Sequence, residues 1–534
     1  MKKLGFIILF LLTVSMFFSP VSAVSSRKVG GFIPLKELPV LKLKRGESFE
    51  PGEAEALYST AFDLIQNKEY KKALLYLEKA VKKYWNYALA YFEIGYCNNH
   101  LGNHQEAIKA YTKAIDIKPD LAEAHHNLGL SYHNLKRHDK AIDSLKRAIH
   151  INPALPETHF HLGAVYCDLG RSDEAVDSFR EAIRIKPDYA DAHYNLGLSY
   201  LRLKRYQEAV GSCKQAIRFK PDDYYAHSNL GVAYSELGRY DEAVESFKHA
   251  IGIKPDYAEA HHNLGFTYLN LKRNEEAAES FKRAIHIKPN FVEARARLAV
   301  AYKNLGRHQE AIESLKRAIQ IKPDYADPHN ILGVIYLELK RHEDAVKSFK
   351  QAISLEPDHA QAHYNLGLSY HNLKRYQEAV ESYKQAIRIE PHDAKAHFNL
   401  GVAYGDIGSY QEAINAFKQA IRIDPNDVDA PFFLGLLYAR LRRPQEAIEA
   451  YKQAIRIKPD FVEAHSSLCL AYLAIGDRLS ASHEYNILKE LDPDEARELS
   501  DMFPQPRVIK KRHKRKKPAY RKKTSEEADS EGKE

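Results

Sequence analysis

Twelve prolines stand 34 residues apart without one insertion or deletion: Pro119, Pro153, Pro187, Pro221, Pro255, Pro289, Pro323, Pro357, Pro391, Pro425, Pro459 and Pro493. Counting from them defines thirteen repeats from Ala54 to Glu495, with Trp85 in the proline slot of the first. This period overrides the several globular domains that a chain of 534 residues would otherwise suggest. One such unit cannot bury its apolar face alone, so the chain is expected to be a linear array stabilised by stacking.

Within a repeat such as 190–223 the apolar residues follow two helical stripes. Ala192, Leu196, Tyr200 and Leu203 fall on the first, and Ala209, Cys213, Ala216 and Ile217 on the second. Lys204 and Arg205 mark the turn between them, and Lys220-Pro221-Asp222 stops the second, because proline cannot continue a helix. The aspartate after the proline is expected to cap the next helix or start its turn. Glycine recurs in the first helix (Gly95, Gly129, Gly163, Gly197, Gly231) and alanine in the second (Ala73 through Ala209 to Ala481). These two columns are expected to face each other where the backbones approach.

His193, Leu196-Gly197, Tyr200, Ala209, Cys213, Ala216 and Pro221, with Phe247 in the aromatic slot of the following repeat, closely resemble the tetratricopeptide repeat (TPR) signature. The family's frequent tryptophan is replaced by a histidine column (His125, His159, His193, His227, His261, His329, His363, His397, His465). The resemblance implies an all-α fold: a right-handed superhelical solenoid of about 13 helix-turn-helix repeats, whose first helices line a concave groove for an extended peptide or protein.

Two positions before the glycine lies a polar slot that holds Asn127, Asn195, Asn229, Asn263, Asn365 and Asn399. A primary amide both donates and accepts, which suits a peptide backbone. The row resembles the asparagine ladder in the repeat superhelix of O-linked N-acetylglucosamine transferases. His161, Arg297, Ile331 and Phe433 interrupt it, so two binding segments are expected, at repeats 5 to 7 and 10 to 11. Local hydrogen bonding on the helix is the alternative. One residue earlier stand Phe92, Phe160, Tyr194, Tyr364, Phe398 and Phe432, read either as anchors for partner side chains or as packing against the adjacent helix. Arg295, Arg297 and Lys303 make repeat 8 the most basic and suggest attraction of a carboxylate.

At the N-terminus Lys2 and Lys3 precede an apolar run from Leu4 to Phe18, and small residues lead to Ala23. This pattern reads as a signal peptide over 1–23, with an uncleaved membrane anchor as the alternative. Localisation is therefore expected to be exported: periplasm, cell envelope or extracellular. Residues 24–53 read as an extended leader, 496–506 as a capping helix and 507–534 as a disordered tail, basic and then acidic. The stretch 507–523 holds eleven Lys or Arg and no acid, which suits anionic lipid or polysaccharide behind an export signal. The overall charge of +8 belongs to these ends, since 24–506 hold 65 basic and 66 acidic residues.

Cys97, Cys167, Cys213 and Cys469 lack metal or redox spacing and read as free thiols. The histidines recur one repeat apart, too far to converge on a metal, and no catalytic or nucleotide-binding motif is found. The chain is expected to be a non-enzymatic scaffold with no cofactor and no small-molecule substrate. The alternatives are a recruiting subunit of a separate enzyme system, such as protein glycosylation, and nucleic-acid binding through the tail if the chain is not exported.

Overall fold

A computed structural model describes Phe32 and residues 51–503. The expected signal peptide, nearly all of the leader and the basic tail lie outside the described residues. The chain divides into two compact units, one ending at Leu339 and the other beginning at Lys340. Both are all-α stacks of helical hairpins, in which a first helix (A) and a second helix (B) alternate with the sequence period. The first hairpin is Pro51–Gln66 with Tyr70–Lys83, the fifth Ala190–Arg202 with Tyr206–Phe219, and the thirteenth Val462–Ala474 with Arg478–Leu491.

The two helices of a hairpin are different objects. In the A helix Ala190–Arg202 every residue from Ala192 to Leu201 is buried, as it must be between neighbours on several sides. In the B helix Tyr240–Ile253 only one stripe is buried (Ala243, Val244, Ser246, Phe247, Ala250), and the rest meets water. Each B helix stops before its proline: the residue at the Lys220 position bends to an extended conformation, and its N–H still closes on Ala216 O at 2.8 Å. The A helix ends in a left-handed residue, glycine at Gly238 (φ 72°) or lysine at Lys204 (φ 58°). A recurrent clasp follows: Arg205 lies 4.7 Å from the Tyr200 ring centre and bonds Glu208 at 2.8 Å.

The glycine column has a further partner besides the expected alanine, whose backbone at Ala141 O would stand 3.1 Å from a Cβ at Gly129. A Cβ at Gly231 would stand 2.7 Å from the Phe247 ring, and one at Gly163 as close to Phe179. Glycine thus makes room for the large residue sixteen positions on, while the alanines of the B helix are buried beside it. Where the facing residue is smaller the glycine can stay, as at Gly129 against Leu145 and Gly197 against Cys213, or give way to alanine. Ala61 and Ala299 replace the glycine where the large residue is Leu77 or Leu315, all four fully buried.

Three boundaries move. The first helix begins at Pro51, inside the expected leader. The closing helix is Pro493–Leu499, followed by a 3-10 turn at Ser500–Met502, so it starts before 496 with Pro493 in its first turn. Phe503 stacks on Tyr485 at 4.4 Å and helps cover the last core. The capping aspartate is also displaced: Asp223 and Asp393, two residues after the proline, cap their helices, whereas the residue at the Asp222 position does not.

Gly231→Ala is expected to cost about 1–3 kcal/mol by forcing the Phe247 ring to move. Adding Phe247→Leu should recover much of that loss, since the pair then reproduces Ala299 with Leu315. Thermal melts of the two variants check it; equal losses in single and double variants would contradict the interlock.

Candidate functional site: the A-helix face

The amide column runs along the A helices, but in the first compact unit it is closed. Asn127, Asn195, Asn229 and Asn263 are all buried. Asn195 turns its Nδ2 back to Asp191 O at 2.8 Å, and the carbonyls of Asn127, Asn195 and Asn263 accept the hydroxyls of Ser131, Ser199 and Thr267. The Nδ2 groups of Asn229 and Asn263 are buried without a hydrogen-bond partner. In the second compact unit Asn365 is buried and its Oδ1 accepts Gln361 Nε2 at 3.2 Å. Asn399 is half-buried, and its Nδ2 donates to Tyr364 Oη at 3.0 Å and Lys395 O at 3.1 Å.

The aromatic column divides in the same way. Phe160 is buried between Phe179 and Tyr189, with ring centres at 5.7 and 5.0 Å, and Tyr194 is fully buried 6.4 Å from Tyr225. Phe92 and Phe432 are buried too. These four are packing residues and present no anchor to a partner. Tyr364 and Phe398 are only half-buried, and Phe398 meets Phe433 edge-on at 5.3 Å. One turn further along the A helices of the first unit, Leu198, Val232 and Val334 are buried while Phe266 and Val300 are half-buried; in the second unit Leu368, Val402 and Leu436 are half-buried and Leu470 is 40% exposed, so no member of the column is closed there. The second compact unit therefore offers an open apolar stripe at one-repeat spacing, flanked by Tyr364, Phe398 and Asn399.

The expected carboxylate-attracting cluster in repeat 8 does not assemble. Arg295 takes the histidine slot and donates to Pro289 O at 3.0 Å, and Lys303 pairs with Glu338 at 3.2 Å. Arg297 is desolvated over the Phe266 ring at 5.3 Å, beside Tyr325 and Asp327. The histidine column has a structural task of its own. His193 Nε2 lies 2.9 Å from Pro187 O, and His125, His159, His227, His261, His363, His397 and His465 repeat the contact. A carbonyl can only accept, so each Nε2 carries the proton. This bond ties the A helix to the turn before it.

Three positions in or beside the ladder hold buried titratable side chains. Glu93, which sequence reasoning passed over, occupies the ladder slot of repeat 2 and is 2% exposed. Burial pushes its carboxyl up to about 8. Its signal was only its register, one period before Asn127. His161, another ladder position, and His262 are pushed by burial down to about 4 and about 3. The thiols of Cys213 and Cys469 are raised by burial to about 12 and about 11, which disfavours the reactive thiolate. Among the described residues no group of His, Cys, Asp or Glu could hold a metal ion.

These shifts have opposite signs in stability. The folded chain holds the Glu93 proton to about pH 8 while the unfolded chain loses it near 4.5, so stability falls as pH rises through that window. His161 and His262 are protonated first in the unfolded chain, so stability falls as pH drops from about 6.5 toward 4. Glu93→Gln is therefore expected to raise the melting temperature at pH 9 and not at pH 4, and His161→Asn to flatten the acid limb. Melts across pH 4–9 check both.

Family models match most of the array. The model for the Cilia and flagella-associated protein 70 C-terminal domain matches 53–286 and 155–333. A model described as Tetratricopeptide repeat matches 330–394 and 398–460, and one described as TPR repeat matches 445–476. A comparison with curated proteins finds no match. Among solved structures, the APC/C hetero-tetramer Cut9-Hcn1 is 17% identical, over 80% of this chain and 96% of that one, at a TM-score of 0.39. The yeast Tom70 structure is 15% identical over 78% and 94%, at 0.35. YrrB, described as "a TPR protein with an unusual peptide-binding site", is 26% identical over 35% and 96%, at 0.33. At these scores the likenesses carry no argument about partner or activity. The matched models, with the hairpins and the proline register that they cover, make this chain a member of the tetratricopeptide repeat family, an α-helical scaffold of the protein–protein interaction type.

Proposed function

We propose that the chain binds an extended, apolar-bearing polypeptide along the A-helix face of its second compact unit, as an exported scaffold. The observation that carries the reading is the unbroken open stripe of Leu368, Val402, Leu436 and Leu470 beside Tyr364, Phe398 and Asn399, whereas in the first unit most of its counterparts are closed, although Phe266 and Val300 are half-buried. An extended chain that alternates side chains could seat apolar groups on the stripe, while the Asn399 amide exchanges its bond to Tyr364 for one to the backbone. Removing these half-exposed surfaces from water would supply the driving force. The export half of the proposal rests on Lys2, Lys3 and the apolar run 4–18, and N-terminal sequencing of the mature chain after cell fractionation tests it.

A photo-crosslinking residue at Val402 or Leu470, introduced in cells, is expected to capture a polypeptide whose mapped contact segment is extended and apolar. Val402→Ser with Leu436→Ser should lower capture at Leu470 at least tenfold, while Asn195→Ala, Asn229→Ala and Asn263→Ala together leave it unchanged. Capture no stronger than from the outward Glu449 would overturn the assignment.

A further inference from the structure

We infer that the outer face of the first B helix, Tyr70–Lys83, with Trp85 just beyond it, is a docking surface for an anionic lipid bilayer. The inference rests on neither the groove nor the export reading.

Three departures from the repeat pattern coincide there. The helix carries Lys71, Lys72, Lys79, Lys82 and Lys83 against Glu78 alone, whereas no later B helix exceeds a single net positive charge. Leu75 occupies an outward slot that later repeats fill with glycine or polar residues such as Lys109, Asp143, Glu245 and Glu381. Trp85 stands where the later repeats have proline. Leu75 is 59% exposed and Trp85 is 75% exposed.

The helical geometry puts Leu75 on one side with lysines, and Trp85 follows in the turn two residues beyond the helix end. At 100° per residue Lys71, Leu75, Glu78 and Lys82 share a line along the helix, and the buried Ala73, Leu77 and Ala80 lie opposite. Lys72 and Lys83 are partly neutralised by Glu69 and Glu53, but Lys71, Lys79 and Lys82 have no ion pair among the described residues. A single exposed leucine means little. A tryptophan and a leucine among unpaired lysines match the chemistry of a bilayer interface, where the apolar groups enter the headgroup layer and the ammonium groups stay among phosphates. A polysaccharide or nucleic acid would satisfy the charge but offer less apolar surface to Leu75 and Trp85. The chain's own segment 33–50 has four basic and three acidic residues, so its charge does not complement the helix.

Trp85 is the only tryptophan of the chain, so its fluorescence reports on this surface alone. With the full chain and mixed phosphatidylcholine–phosphatidylglycerol vesicles, its emission should shift to shorter wavelength and be quenched by brominated acyl chains. Pure phosphatidylcholine should give little of either. Changing Lys71, Lys79 and Lys82 to Gln should weaken partition roughly a hundredfold, and Leu75→Gln should weaken it further, with an unchanged thermal melt showing that the fold is kept. Binding that leaves the Trp85 spectrum unmoved would place the contact elsewhere, at the 507–523 tail for instance, and overturn the inference. So would absence of binding, or a shift produced by raising protein concentration without vesicles, which would mean a second copy covers the face.

Discussion

A ring seated on a glycine sets the approach of the two helices in most hairpins. With no Cβ at Gly231, the Phe247 ring lies against the A-helix backbone, and the small side chains of Ala243 and Ala250 let the B helix approach on either side. Where the ring becomes Leu77 or Leu315, the freed volume is taken back by Ala61 or Ala299, although Gly129 is kept against Leu145. Close packing explains the pairing, since one methyl too many or too few forces a shift or leaves a void. Because most hairpins share this packing, the Arg–Tyr–Glu clasp and the His–Pro bond recur at the same places wherever their residues are present.

Stacking, not the hairpin alone, determines what an A helix shows to its surroundings. In the first compact unit, A helices such as Ala190–Arg202 are buried almost all round, and their amides turn to local partners such as Asp191 O. The buried, unpartnered Nδ2 groups of Asn229 and Asn263 are costly exceptions in this scheme. In the second unit the same helix positions stay partly open, so side chains of the same type acquire a different meaning. Phe160 is core and Phe398 is surface, although they fill one column.

Departures from the pattern mark the places where something besides stacking acts. Arg295 shows a departure absorbed by the fold, because its guanidinium makes the bond that histidine makes elsewhere. Lys303 is absorbed likewise, by Glu338. Leu75 and Trp85 are not absorbed: both stay exposed, on and just beyond a helix rich in lysine. Glu93 lies between these cases, taken into the interior at the cost of holding its proton above the ordinary carboxylate range.

The all-α class, the hairpin, the repeat length and the family were legible in the amino-acid order, because proline register and helical periodicity are local properties that act within one repeat. The helix ends were less so: Pro51 and Pro493 open helices here, since proline fits a first turn as well as it ends a preceding one. The partner of the glycine, the bond of each histidine and the openness of the amide column were decided by tertiary structure. A column of identical residues records what each repeat needs from its own neighbours. Whether a given asparagine or aromatic ring reaches solvent depends on how closely successive A helices stack. Many side chains set that stacking together, and no single column of the sequence contains it.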